Sequence, residues 1–222
     1  MSVKIGIIAD TATDTEMGKA YFESRGYTTV CKPVKETSAL CMQFFKESES
    51  VRNAYMTNLI EEIKSEGGTA ICVYANSICA YVDFDQLSAK TYIPIITPFH
   101  AYQLIGKQYK KPLVFAVTSG ALSGIEKSIW KSNPNADIRG IYDLDIAMQI
   151  ENGIAAEQIV KSAGIAELLS FAEKSGSDCV ILGCTHFPYL KTELEKYSHI
   201  PIVDPADIIA QQIKSVICEE SV

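Results

Sequence analysis

Short, nearly unbroken apolar runs recur along the chain, at residues 3–9, 28–34, 69–75, 94–98, 113–118, 137–142, 178–183 and 200–204. Because they lack polar alternation, they predict strands buried on both faces, as in a parallel sheet covered by helices. The stretches between them place apolar residues near helical spacing. Residues 50–65 do so with Val51, Ala54, Tyr55, Leu59 and Ile63, and the Gly67-Gly68 pair ends that helix before the next strand. This alternation predicts an α/β fold. Eight strands are many for one small doubly wound sheet, so two groups of four are expected. The chain then reads as two pseudo-symmetric parallel-sheet domains, Rossmann- or flavodoxin-like, with the active site in the cleft between them. Residues 1–95 with 205–222 are expected to form the first domain and 96–204 the second, the closing helix at 205–218 packing back on the first half.

Composition narrows what such a fold does. The 222 residues are 47% hydrophobic and carry a net charge of −7. No run of Lys and Arg offers the positive surface that a phosphate backbone requires, so neither nucleic acid nor an anionic membrane is an expected partner. The opening residues carry one cation before a short apolar run that ends in Asp10, unlike a signal peptide, and no apolar stretch approaches the roughly 20 residues that cross a bilayer. A cytoplasmic protein is expected. The seven cysteines form no closely spaced metal-binding pairs and the three histidines fit no zinc spacing, which predicts mostly reduced core thiols and no metal. No cofactor is expected either: the chain has neither a Walker-type nor a Gly-x-Gly-x-x-Gly loop, and nothing marks a lysine for pyridoxal phosphate.

The segment richest in chemistry is Gly183-Cys184-Thr185-His186-Phe187-Pro188-Tyr189-Leu190. A buried strand ends at a glycine, and the thiol of Cys184 follows at the carboxyl end, where α/β sheets bind ligands. A helix beginning at about Thr185, with Pro188 in its first turn, would turn its positive end to the sulfur and favour thiolate. His186 stands two residues on, suited to pair with the thiol or shift a proton. Position alone fits a buried, inert cysteine equally well, and Cys179, inside the strand, reads as core. The first half repeats the device where its strand runs into Tyr74-Ala75-Asn76-Ser77.

The octapeptide resembles the Gly-Cys-Thr-His-Tyr-Pro-Leu-Leu signature of glutamate racemases, within the aspartate/glutamate racemase family. Aspartate racemases more often have glutamate where His186 stands. Four smaller matches follow in family order. Ile5-Gly6-Ile7-Ile8-Ala9-Asp10-Thr11 resembles the opening strand and Asp-Ser pair that holds substrate near the first base. Val117-Thr118-Ser119-Gly120 resembles a substrate-binding turn, Gln149-Ile150-Glu151-Asn152-Gly153 the segment with a functional glutamate, and Ile202-Val203-Asp204-Pro205-Ala206 the closing strand and helix start. Taken singly, Asp10 also reads as a helix-capping acid and Glu151 as a solvated acid at a helix end.

The resemblance implies a cofactor-independent racemase of a small acidic amino acid, working through two thiol bases, in a family that often forms homodimers. Cys184 would take the proton from the L enantiomer. Asp10 and His186 would each tune the base on its side, with Glu151 beside His186. Thr11, Asn76, Ser77, Thr118, Ser119 and Thr185 would bind the substrate, with Asn76, Ser77, Thr118 and Thr185 on its α-carboxylate. The departure is at Ala75: the family usually reads Ala-Cys-Asn-Thr here, so the second thiol is missing. Inversion needs an acid/base group on each face of the carbon, and losing one costs roughly 10²- to 10⁴-fold in rate. Cys72, on the opposite side of the strand, and Cys79, one turn into the next helix, are poor substitutes.

Ala75 fits an engineered cysteine-to-alanine form, a natural one-thiol enzyme or a protein that binds without catalysis. The rival functions are a one-cysteine decarboxylase of the arylmalonate decarboxylase type and a non-catalytic amino-acid-binding protein. The substrate stays open between glutamate, aspartate and another small acid. Residues 30–45 lack the Pro-Tyr-Gly loop of glutamate racemases, and Ala121 stands where a second threonine is common.

Overall fold

The computed structural model describes residues 3–219, so residues 1, 2 and 220–222 of the expected first domain lie outside the described residues. Two compact units emerge, one of Met1–Pro98 with Ala206–Val222, the other of Phe99–Pro205. All eight apolar runs form strands.

The first unit runs β1 (Lys4–Ala9), α1 (Ala12–Glu23), β2 (Thr28–Pro33), α2 (Ser38–Phe44), α3 (Glu49–Ser65), β3 (Ala70–Val73), α4 (Phe84–Thr91) and β4 (Ile95–Ile96). Its four strands are parallel, in the order β2-β1-β3-β4. Ile5, Ile7 and Ile8 of β1 and all of β3 are buried, as unalternating strands require. Helix α3 buries Met56, Leu59, Ile60 and Ile63. Of the face expected for it, Leu59 and Ile63 are inside and Tyr55 is half-buried, while Val51 and Ala54, in the first two turns, are exposed. Its end matches expectation: Gly67 takes a φ of +88°, the left-handed conformation that glycine adopts without a Cβ clash.

The second unit runs α5 (Pro98–Gln108), β5 (Pro112–Ala116), α6 (Ser119–Ser132), β6 (Arg139–Tyr142), α7 (Leu144–Glu151), α8 (Ala156–Ser162), α9 (Ile165–Lys174), β7 (Cys179–Leu182), α10 (Lys191–Leu194) and β8 (Ile202–Val203). Its sheet is also parallel and has the order β6-β5-β7-β8. Strands β5 and β7 are wholly buried, but β6 is largely exposed. The expectation of burial on both faces fails there because β6 is an edge strand. Helix α11 (Pro205–Glu219) then belongs to the first unit, where the Tyr21 hydroxyl and the Arg25 guanidinium bond Asp207.

The shared strand order fixes where each unit keeps its chemistry. In the first, the chain leaves β1 towards β2 on one side and leaves β3 towards β4 on the other, so the carboxyl ends of β1 and β3 flank a switch point. In the second, β5 and β7 do the same. Crevices at such points are where open α/β sheets bind ligands. No helix among the described residues is long and apolar enough to cross a membrane.

Candidate active site

At the second unit's switch point, β7 delivers Gly183 and then Cys184. The Gly183 amide donates to the Phe115 carbonyl at 2.7 Å. A Cβ on Gly183 would stand 2.9 Å from that oxygen and 2.7 Å from Ile125 Cδ1, so this approach of β7 to β5 requires glycine. Cys184 retains 8% exposure where Cys179, inside the strand, has none, which separates the thiol at the rim from the thiol in the core. Beneath it Phe187 stacks on Phe115, ring centroids 4.5 Å apart.

The helix expected from Thr185 does not form. The chain turns through 184–186 into a 3-10 turn at Phe187–Leu190, and α10 spans only four residues. Pro188 has no amide to start a ladder to the Cys184 carbonyl, which instead accepts from Phe187 at 3.2 Å. The sulfur accepts from the His186 amide at 3.4 Å and does not face the end of a long helix.

The His186 ring lies between two partners. Its Nδ1 is 3.6 Å from Cys184 Sγ and 3.5 Å from Thr185 Oγ1. Its Nε2 is 3.0 Å from Glu151 Oε1, an ion-pair distance without the alignment of a hydrogen bond. Glu151 closes α7 and is half exposed, yet it is not merely solvated. His186 thus brings three other residues of the expected site, Glu151, Cys184 and Thr185, together around its ring. Thr118 caps α6, accepting from the Ala121 amide at 3.2 Å, and Ser119 opens that helix.

At the first unit's switch point, Asp10 follows β1 and Ala75 lies two residues past β3. Asp10 does not cap α1. Thr11 does, its Oγ1 accepting from the Asp14 amide and donating to Asp14 Oδ2 at 2.7 Å, which leaves the Asp10 carboxyl for other work. The Ser77 hydroxyl donates to Asp10 Oδ2, so this expected substrate donor already has a carboxylate partner. Oδ1 is sealed from solvent without a hydrogen-bond partner. Burial and the nearby Asp14 push the Asp10 carboxyl up, Ser77 and the Ile78 amide pull it down, and burial prevails, leaving it at about 6.

Two neighbours of Asp10 come from the stretch after β2. The Lys35 amide and the Cys41 thiol both donate to the Asp10 carbonyl, at 3.0 and 2.9 Å. No sequence signal marked them, since they are distant along the chain and belong to no motif. The candidate substitutes for a thiol at 75 are held as thiols. Cys72 is fully buried and its proton affinity is raised accordingly. Cys79 is raised by burial and by Asp10, and its S–H donates to the Ala75 carbonyl at 3.3 Å.

Comparison with known proteins bears on the family and the fold. A glutamate racemase of Shewanella woodyi is 35% identical over 79 residues, 35% of this chain and 29% of the relative. One of Shewanella sp. MR-7 is 25% identical over 166 residues, 72% of this chain and 61% of its own length. The chain thus spans less than two thirds of these relatives. The crystal structure of a Francisella tularensis glutamate racemase in complex with D-glutamate shares the fold with a TM-score of 0.68 at 18% identity, covering 99% of this chain and 82% of that one. The model of the Asp/Glu/Hydantoin racemase family matches residues 45–213, most of the chain and both strand ends that follow β3 and β7, so the protein belongs to that family.

Proposed function

We propose that this chain is a cofactor-independent racemase of a small acidic amino acid, glutamate or aspartate, with Cys184 as the thiol that moves the α-proton. The observation that carries the reading is the His186 ring set between the Cys184 sulfur, at 3.6 Å, and the Glu151 carboxylate, at 3.0 Å. That sequence of groups lets the thiol lose and regain a proton without waiting for solvent. Thr118 and Thr185, both of the second unit, are polar groups assigned to the substrate carboxylate, offsetting charge as the proton leaves. All seven cysteines are free thiols, which supports a reducing compartment such as the cytoplasm.

The test is α-proton exchange in heavy water, followed by proton NMR on L- and D-glutamate and L- and D-aspartate, for the chain and its Cys184→Ser variant. Exchange into at least one enantiomer, lost in the variant, is expected. No exchange into any of the four, or exchange that survives Cys184→Ser, overturns the assignment. The alkyl side chain at Ala75 favours a second reading, a one-thiol decarboxylase, which release of carbon dioxide from a disubstituted malonate would establish instead.

A further inference from the structure

We infer that Tyr189 is a positioning residue for proton transfer at Cys184, because it straps the end of α7, which carries Glu151, to the turn that carries His186. This rests on the racemase reading above and deepens it, and every residue involved lies within the second unit.

The contact between imidazole and carboxylate needs a physical cause. Glu151 is half exposed and closes a helix of eight residues that leaves Leu144 and Met148 open to solvent. An ion pair so exposed contributes little, and holding it in one geometry costs side-chain entropy. His186 has no such latitude. It is buried, and its Nε2 is sealed from solvent and makes no hydrogen bond, so the Glu151 carboxylate at 3.0 Å is the group that answers it. Should the end of α7 drift, that nitrogen would stay buried with neither a counter-charge nor water, which is costly. The end of the helix must therefore be held where the histidine needs it.

Two rigid joints meet that need, and Tyr189 links them. The first is the end of α7. The Gly153 amide donates to the Ile150 carbonyl at 2.9 Å and the Ile154 amide to the Gln149 carbonyl at 3.1 Å, with Gly153 at a φ of +73°. This is a Schellman cap, and it fixes the Ile154 carbonyl relative to Glu151. Ile150 and Ile154 also pack against the second unit's core. The other joint is the 3-10 turn, where the Tyr189 amide donates to the His186 carbonyl at 3.2 Å. The Tyr189 hydroxyl spans the two, donating to the Ile154 carbonyl at 3.2 Å. A closed circuit results. It runs from the His186 carbonyl to Tyr189, through the phenol to Ile154, along the cap to Glu151, and back to the His186 ring. A leucine, as in the racemase signature, cannot make the phenol's bond.

With Glu151 held, the ring keeps Nε2 towards the carboxylate and Nδ1 towards the sulfur, 3.6 Å away. The proton passes from Sγ to Nδ1, leaving a thiolate beside an imidazolium, and returns by the same path. Tyr189 touches neither the sulfur's proton nor the substrate. It acts through Glu151.

The test compares the unaltered chain with Tyr189→Phe, Glu151→Gln and the double variant. Exchange of the α-proton of L- and D-glutamate and L- and D-aspartate in heavy water, at varied substrate concentration, gives kcat and KM. Ring-nitrogen NMR of the three histidines reports His186 whether or not the chain is active, its signals being identified by their loss in His186→Gln. Tyr189→Phe is expected to lower kcat by roughly 2- to 10-fold with KM unchanged. Its His186 signals are expected to move in the direction they take in Glu151→Gln. The double variant is expected to be no slower than Glu151→Gln alone, since the strap has nothing to hold once the carboxylate is gone. An undiminished rate in Tyr189→Phe, His186 signals that stay in place, or losses that multiply in the double variant overturn the proposal and leave the racemase reading standing. If the unaltered chain exchanges none of the four substrates, the racemase reading falls and the role of Tyr189 falls with it.

Discussion

Replacing Asp10 by asparagine is expected to stabilise the protein above neutrality, a consequence of folding a carboxylate into a place that disfavours its charge. The shape is kept, and the new amide can still meet the Ser77 hydroxyl. Folding raises the Asp10 pKa from 3.8 to about 6. The protonated acid therefore folds without penalty below about pH 4, and the cost of the charge grows from there until the pH has passed about 6, above which it is complete. A shift of about 2 units, at about 1.4 kcal/mol each, corresponds to about 3 kcal/mol. The asparagine side chain carries no charge to bury, so the variant and the parent should be equally stable near pH 4 and differ by about 1 to 3 kcal/mol, in the variant's favour, near pH 8. Urea unfolding at several pH values, followed by far-UV circular dichroism, measures the difference. Trp130 lies on α6, so its fluorescence reports the second unit and serves as the control. A gain that is the same at both pH extremes, or a variant less stable near pH 8, would refute the reasoning, because either result removes the buried charge as its cause.

Gly183→Ala should destabilise the protein by about 1 to 3 kcal/mol, since its Cβ would press on the Phe115 carbonyl and Ile125, and an unchanged unfolding midpoint would show that β7 can give way. Glu151→Gln should slow racemisation by roughly 10- to 100-fold through a misplaced imidazole, yet change stability by less than about 1 kcal/mol because the carboxylate is half exposed; steady-state kinetics and thermal unfolding read the two effects separately. Iodoacetamide should label exposed Cys218 first and reach buried Cys72 and Cys179 only on denaturation, as mass mapping of peptides would show.

The eight strands were legible because each is a run of apolar residues whose burial is decided locally, whatever the rest of the chain does. The place of Cys184 beside His186 at the end of β7 was legible because a glycine, a thiol and an imidazole stand within four residues of one strand end. What the sequence hid depends on contacts over distance. That Thr11 caps α1 and releases Asp10 could not be told from two adjacent polar residues, both able to cap. The bonds from Ser77 and Cys41 to Asp10 join residues 67 and 31 positions apart. Proline in a first helical turn usually suits an α-helix, but Pro188 falls where the Cys184 carbonyl needed a donor, and the chain tightened into a 3-10 turn. The exposure of β6 followed from its place at the margin of the sheet, which its own apolar residues do not reveal.

The repetition of one strand order in both units carries a consequence for how such a protein can change. Asp10, Ala75 and Cys184 each sit just past a strand, outside the ladder that holds its own sheet together. A mutation there alters chemistry in one half while neither hydrophobic interior has to be rebuilt. The two corners can thus diverge independently of each other and of the scaffold that carries them.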